Sequence, residues 1–199
     1  MNPRQASLVL GAFPVKRGIR RYVNRRALAT ALLAASFFTS LTLAARAETV
    51  SGRAVALDGD TITIGQQTIS LLGIDAPEAK QVCWNALSEQ WPCGKQAAAV
   101  LTGEIRNAII SCEGTHRDHA KRLLAVCRLG STNINAWLVE QGWALAYRPQ
   151  STAFVHAEES ARGAGLGLWA GAFEPPWLWR IKNEGGSAQF SSSAPPRAQ

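Results

Sequence analysis

The stretch VSGRAVALDGDTITIGQQTISLLGIDAPE, residues 50–78, decides the fold. Two runs rich in β-branched residues, 50–57 and 61–64, flank Asp58-Gly59-Asp60, and Asp-Gly is a preferred dipeptide of tight hairpin turns. Gly65-Gln66-Gln67 turns the chain into a third strand over 68–72, and Gly73-Ile74-Asp75-Ala76-Pro77-Glu78 ends it, since a residue before proline is held extended. Either acidic motif alone would be an ordinary polar turn. Together they put Asp60, Asp75 and Glu78 where strands give way to turns. Carboxylate and carbonyl oxygens there are the ligands of hard cations, and a further carboxylate can act as a general base. Asp58 is expected to stay within its turn, accepting backbone hydrogen bonds.

Downstream, an Ala- and Leu-rich run over 95–106 predicts a helix with Ala97, Val100, Leu101 and Ile105 on one face, weakened by Gly103. Residues 108–115 and 122–128 read as a hairpin turning at His119 and Ala120. Asn133 is the expected N-cap of a helix over 134–141, which Gly142 stops, and a third helix spans 154–162. Five strands interleaved with three helices give an α+β, barrel-like class. The tryptophans read as packing groups, with Trp169, Trp177 and Trp179 folding the C-terminal segment back; Trp84 and Trp91 are the two left open for substrate contact.

The net charge of +7 belongs to the first 47 residues. They hold 8 of the 21 Lys and Arg and none of the 14 Asp and Glu, which leaves 13 basic against 14 acidic residues in the remainder. A basic-surface argument for binding nucleic acid therefore fails beyond residue 47, and any phosphate recognition must be local. The leader has a basic stretch, an apolar run over 27–45 and the small-x-small triplet Ala45-Arg46-Ala47. We expect an export signal over 1–47, cut before Glu48, a domain over 48–182 and a disordered tail over 183–199 that is Ser-, Ala- and Pro-rich from Ser187. The destination would be the periplasm or the medium; an uncut leader would anchor the chain in the inner membrane. Four cysteines, Cys83, Cys93, Cys112 and Cys127, suit an exported chain. Three pairings are open to them. The hairpin would oppose Cys112 to Cys127 and leave Cys83 with Cys93, each bridge contributing about 3 kcal/mol.

The paired motifs resemble the signature of the thermonuclease, or staphylococcal-nuclease-like, family. Asp118-His119-Ala120-Lys121-Arg122-Leu123-Leu124-Ala125 is similar to its Asp-x-Tyr-Gly-Arg-x-x-Ala segment. Residues 135–144, Asn135 to Ala144, resemble its Asn-x-x-Leu-Val-x-x-Gly-x-Ala helix, and Ala161-Arg162 with Gly167-Leu168-Trp169 its closing helix. The resemblance implies an OB-fold, a five-stranded antiparallel β-barrel with three packed helices. It implies Ca²⁺ held by Asp60, Asp75 and the backbone carbonyl of Ala76, Glu78 as general base and Arg122 as a phosphate-binding cation. Tyr147 is similar to a nucleotide-stacking tyrosine of the family. The substrate would be single-stranded DNA or RNA, and we expect a monomer with no stable membrane association once the leader is removed.

One departure has consequences. The family carries a second arginine five residues before the Asp of its second motif, and that position is Ser70. Serine donates one neutral hydrogen bond, whereas arginine offers a charged fork. The family tyrosine and glycine are replaced by Ala120 and Lys121. The expectation is a calcium-dependent nuclease with reduced activity; the alternative is a catalytically weak or inactive OB-fold module that binds nucleic acid or protein. Lys121, Arg148 and Arg53 are the cations that could stand in for the absent arginine.

Overall fold

The computed structural model describes residues 47–106 and 108–183; the expected leader, apart from its last residue, and the tail beyond Asn183 lie outside them. The first three strands are β1 (Glu48–Ala56), β2 (Thr61–Ile64) and β3 (Gln67–Leu71). They form an antiparallel meander in which Ala56 opposes Ile62 and Thr61 opposes Ser70. Strands β7 (Ile109–Arg117) and β8 (Leu123–Leu129) make the second hairpin, β7 pairs with β1, and β8 closes on β3. Four seams of the five-stranded barrel are antiparallel, as expected. The closing seam, β3 with β8, is parallel, because a ring of five strands cannot alternate direction at every seam.

The barrel wall alternates as a pleat must. In β7, Ile110, Cys112 and Gly114 point inward while their neighbours are exposed. Ile62, Ile69, Leu71, Ile110 and Leu123 are almost wholly buried. Helix α1 (Cys93–Ile105) packs Ala97, Leu101 and Ile105 against the barrel region and begins two residues before the expected start. Helix α2 (Ile134–Glu140) starts at Asn133, whose side chain accepts from the Ala136 N–H at 3.2 Å. It ends with Gly142 at φ 72°, where the Trp143 N–H reaches the Leu138 carbonyl and the Gly142 N–H the Val139 carbonyl. That is a Schellman stop. Buried Asn135 ties α2 to the barrel: its side chain accepts from the Cys127 N–H and donates to the carbonyls of Leu72 and Ala125.

Both disulfides pair as the hairpin argument favours, Cys112 with Cys127 directly opposite in β7 and β8, and Cys83 with Cys93. The latter joins β5 (Cys83–Trp84), which pairs with β6 (Gln90–Trp91), to the first turn of α1. Two further short pieces are β4 (Ile74–Asp75), paired with β10 (Leu145–Ala146), and β9 (Thr132–Asn133) beside β8. Helix α3 (Val155–Gly163) buries Glu158, whose carboxylate takes the Ala146 N–H and Arg148.

Among the described residues the three expected helices are joined by one more. A fourth, α4 (Pro176–Asn183), follows a 3₁₀ turn at Gly167–Ala170. Pro176 opens it, a position where the missing N–H costs nothing and the fixed φ favours the helix. The tryptophan reading holds in outline: Trp169 packs edge-on to Phe173 at 4.9 Å, and Trp177 lies 5.9 Å from Tyr147. Among the described residues no helix is long and apolar enough to cross a membrane.

Candidate nuclease site

The first acidic motif is a turn built on Asp58, whose carboxylate accepts the Asp60 N–H at 3.0 Å, as expected. The turn aims Asp60 at the second motif. Asp60 Oδ2 accepts the Ala76 N–H at 2.8 Å and Oδ1 the Thr61 hydroxyl at 3.1 Å. The two motifs touch through small residues: a Cβ added at Gly59 would lie 2.7 Å from the Ala76 methyl. Glycine at 59 and a small side chain at 76 are therefore packing requirements as well as turn chemistry.

Asp75 is buried, at 5% exposure, and fixed by the β4–β10 pairing opposite Leu145. Pro77 then carries the chain to Glu78, whose N–H is accepted by the side chain of buried Gln81. Gln81 in turn accepts the Gly94 N–H through its carbonyl and donates to the Glu174 carbonyl at 2.7 Å. A Cβ at Gly94 would sit 1.7 Å from the Glu78 carbonyl oxygen, so α1 presses directly on the loop that carries the expected base.

Desolvation dominates the acidic pair. Burial pushes the Asp60 carboxyl well above the usual range, the charges of Asp75 and Asp58 push it further, and the Ala76 and Thr61 hydrogen bonds only partly offset this. Asp75 is raised to about 6, again by burial first, with Arg180 working against the shift. Two neighbouring carboxylates that are both desolvated and mutually repelling call for a cation. Among the described residues, no group of three or more His, Cys, Asp or Glu side chains is arranged to hold a metal ion. The expected set is two carboxylates and one main-chain oxygen.

The cation seated there is one that sequence reasoning passed over. Arg180, on α4, donates Nη1 to Asp75 Oδ1 and Nη2 to Oδ2, both at 2.9 Å, and Nη1 also reaches Glu78 Oε1 at 2.5 Å. Burial of the guanidinium would lower its pKa, but its hydrogen bonds to Asp75 and Glu78 and their charges raise it instead. Tyr147 lies beside this group: its phenol pKa is raised, first by burial and then by the Asp75 charge. The only sequence signal for Arg180 was its place in Trp177-Leu178-Trp179-Arg180, a segment already expected to fold back.

Arg122 stands on the other side. Its Nε donates to Asp118 Oδ2 at 2.6 Å, its own N–H to Asp118 Oδ1 at 2.9 Å, and Nη1 to the Thr61 hydroxyl at 3.3 Å. Thr61 thus links Arg122 to Asp60 in one hydrogen-bonded chain, a role absent from the sequence-based set. Ser70 sits in register with Thr61 and with Leu124, half-buried between the second hairpin and β2. Lys121 holds a left-handed backbone, φ 66°, where the family motif has glycine. Arg117, Lys121 and Arg122 line one open cavity of about 450 Å³ with Gln66 and Thr68. Arg148 is spent on Glu158, and Arg117 on Glu48. Trp84 is 40% exposed, and Trp91 packs edge-on to Trp143 at 6.1 Å.

A closed barrel with an acidic pair on one side of a threonine and a clamped arginine on the other defines the class: an OB-fold protein of nuclease type. Sequence comparison makes the assignment specific. The family described as staphylococcal nuclease homologue matches residues 68–171, more than half of the chain. An uncharacterized endonuclease of Haemophilus influenzae is 32% identical over 155 residues, covering 74% of this chain and 80% of that protein. A micrococcal nuclease of Shigella flexneri is 34% identical over 142 residues, covering 62% of this chain and 76% of the relative. The succinoglycan biosynthesis protein ExoI of Rhizobium meliloti is 33% identical over 129 residues, with 63% and 68% covered. The chain belongs to the staphylococcal nuclease family.

Proposed function

We propose that this protein is an exported nuclease, dependent on Ca²⁺, that hydrolyses phosphodiester bonds of single-stranded DNA or RNA at a rate reduced by Ser70. The observation that supports the reading is the chain Arg122–Thr61–Asp60–Ala76, in which one hydroxyl joins a guanidinium to a desolvated carboxylate pair. By donor chemistry Asp60, Asp75 and the Ala76 carbonyl fit a hard divalent cation. When bound, Ca²⁺ would neutralise charge on the phosphate and on the two carboxylates. Glu78, partly exposed beside the pair, takes the proton of the attacking water. Arg122, oriented by Asp118, stabilises charge on the phosphoryl oxygens, and Ser70 adds one neutral hydrogen bond where the family has a guanidinium. Export rests on the leader over 1–47 and on two disulfides, which form in oxidising compartments.

The test is cleavage of single-stranded DNA by the purified protein with Ca²⁺ or with a chelator. Calcium-dependent cleavage is expected, and Glu78→Gln should lower it by about 10²–10⁴-fold. Cleavage that ignores the chelator, or none at high enzyme concentration, would refute the reading. The engagement of Asp75 and Glu78 by Arg180 favours a second reading, a binding module without turnover. That version predicts salt-sensitive strand binding and no hydrolysis even after Ser70→Arg.

A further inference from the structure

We propose that Arg180 is a resident counter-cation of the acidic pocket: from α4 it holds Asp75 and Glu78 together and competes with a divalent ion for them, so that metal loading and seating of α4 oppose each other. The inference rests on the metal reading above and adds to it a positioning residue that lies beyond the family match at 68–171.

Geometry carries the argument. Both Asp75 oxygens are taken by one guanidinium fork, and the same Nη1 reaches Glu78, so a single side chain bridges the expected ligand and the expected base. Arginine stays protonated at any working pH, so its charge cannot be shed to make room for metal. A fixed positive charge at 2.9 Å from Asp75 must weaken binding of a second cation there, whether it is displaced or stays. Calcium also asks for six to eight oxygens, and here a guanidinium already uses those of Asp75.

Helix α4 is docked for this role. Ahead of it, the Glu174 carbonyl is held by Gln81 from the acidic loop, and Glu174 pairs through its carboxylate with Lys182. Trp177 packs on Tyr147, whose N–H donates to the Gly73 carbonyl at the start of the second motif. The N-terminal end of the helix thus rests on both the acidic loop and the segment after β10, and Arg180 engages the acidic loop one turn further on. Anything that draws Asp75 away from Arg180 loosens the helix, and the coupling is reciprocal.

Calcium binding by calorimetry, on the purified protein and its Arg180→Gln and Arg180→Lys variants, tests this, together with amide hydrogen exchange over 177–183. Arg180→Gln should bind Ca²⁺ about tenfold or more tightly than wild type, because a competing charge is gone. Arg180→Lys should fall between them, and Ca²⁺ should speed exchange in α4 of the wild type. If wild type binds Ca²⁺ and Arg180→Gln binds it no tighter, the inference is overturned and the nuclease reading stands. If neither protein binds Ca²⁺, the metal reading fails and the inference with it. Should Arg180→Gln not fold, wild-type exchange decides: protection in α4 unchanged at saturating Ca²⁺ sinks the proposal.

Discussion

Two arginines meet carboxylates at this site, and they do so in opposite ways. Arg122 pairs with Asp118 four residues away in one hairpin turn, at 2.6 Å, with a side chain 38% exposed. Arg180 pairs with Asp75 across 105 residues, from a helix outside the barrel, on a carboxylate almost closed to water. The local pair orients a cation and leaves it accessible. The distant pair neutralises an anion and occupies it. The contrast shows that two arginines near one site can be committed differently, one held in place by its neighbour and one spent on neutralising a buried carboxylate.

The comparison can be broken most forcefully at Arg122. If it is the working cation, Arg122→Ala should lower cleavage by about 10³–10⁵-fold with the fold retained by circular dichroism. A loss below tenfold would mean that Arg180 already does this work. Next is Ser70→Arg, which restores a fork beside Thr61 and should raise the rate by about 10²–10³-fold. No gain would show that the absent arginine is not what limits the site.

The third prediction concerns pH in the calcium-free protein. Asp75 titrates near 6 when folded against 3.8 ordinarily, so the folded state holds its proton more tightly than the unfolded chain. Its contribution to stability is therefore full below pH 3.8 and lost as pH rises through about 6, on the order of 3 kcal/mol. Urea denaturation should show Asp75→Asn gaining by that order on wild type between pH 4 and pH 7. A flat difference would mean that Arg180 offsets the desolvation fully. The smallest effect belongs to the local pair. Asp118→Ala should cost about 1 kcal/mol or less in stability, because one partner is well exposed, yet should lower kcat by releasing the Arg122 fork. An unchanged kcat would remove Asp118 from the site.

Much of this was legible in the sequence because the forces are short-range. The Asp58 turn, the Asn133 cap, the Gly142 stop and the opposition of Cys112 to Cys127 each follow from neighbours along the chain or from one hairpin's register. That Asp60, Asp75 and Arg122 border strands, with Glu78 in the loop after β4, was also readable, since turns and motifs mark those borders. Which pair of strands would carry the parallel seam was not, because strand order around the barrel is set by pairings distant in sequence. The fourth helix escaped because it is only eight residues long and opens on Pro175-Pro176, which reads as a turn, and Thr61 and Gln81 escaped because a hydroxyl and an amide acquire roles only from what faces them.

By itself, the sequence determined the strands, the turns and the types of acid and base that the turns would carry, since backbone preferences and alternation act over a few residues. Only the tertiary structure decided which charge meets which. Coulomb attraction and desolvation depend on distance in space and on exclusion of water, and the sequence separation of 105 between Asp75 and Arg180 vanishes only once the chain has folded.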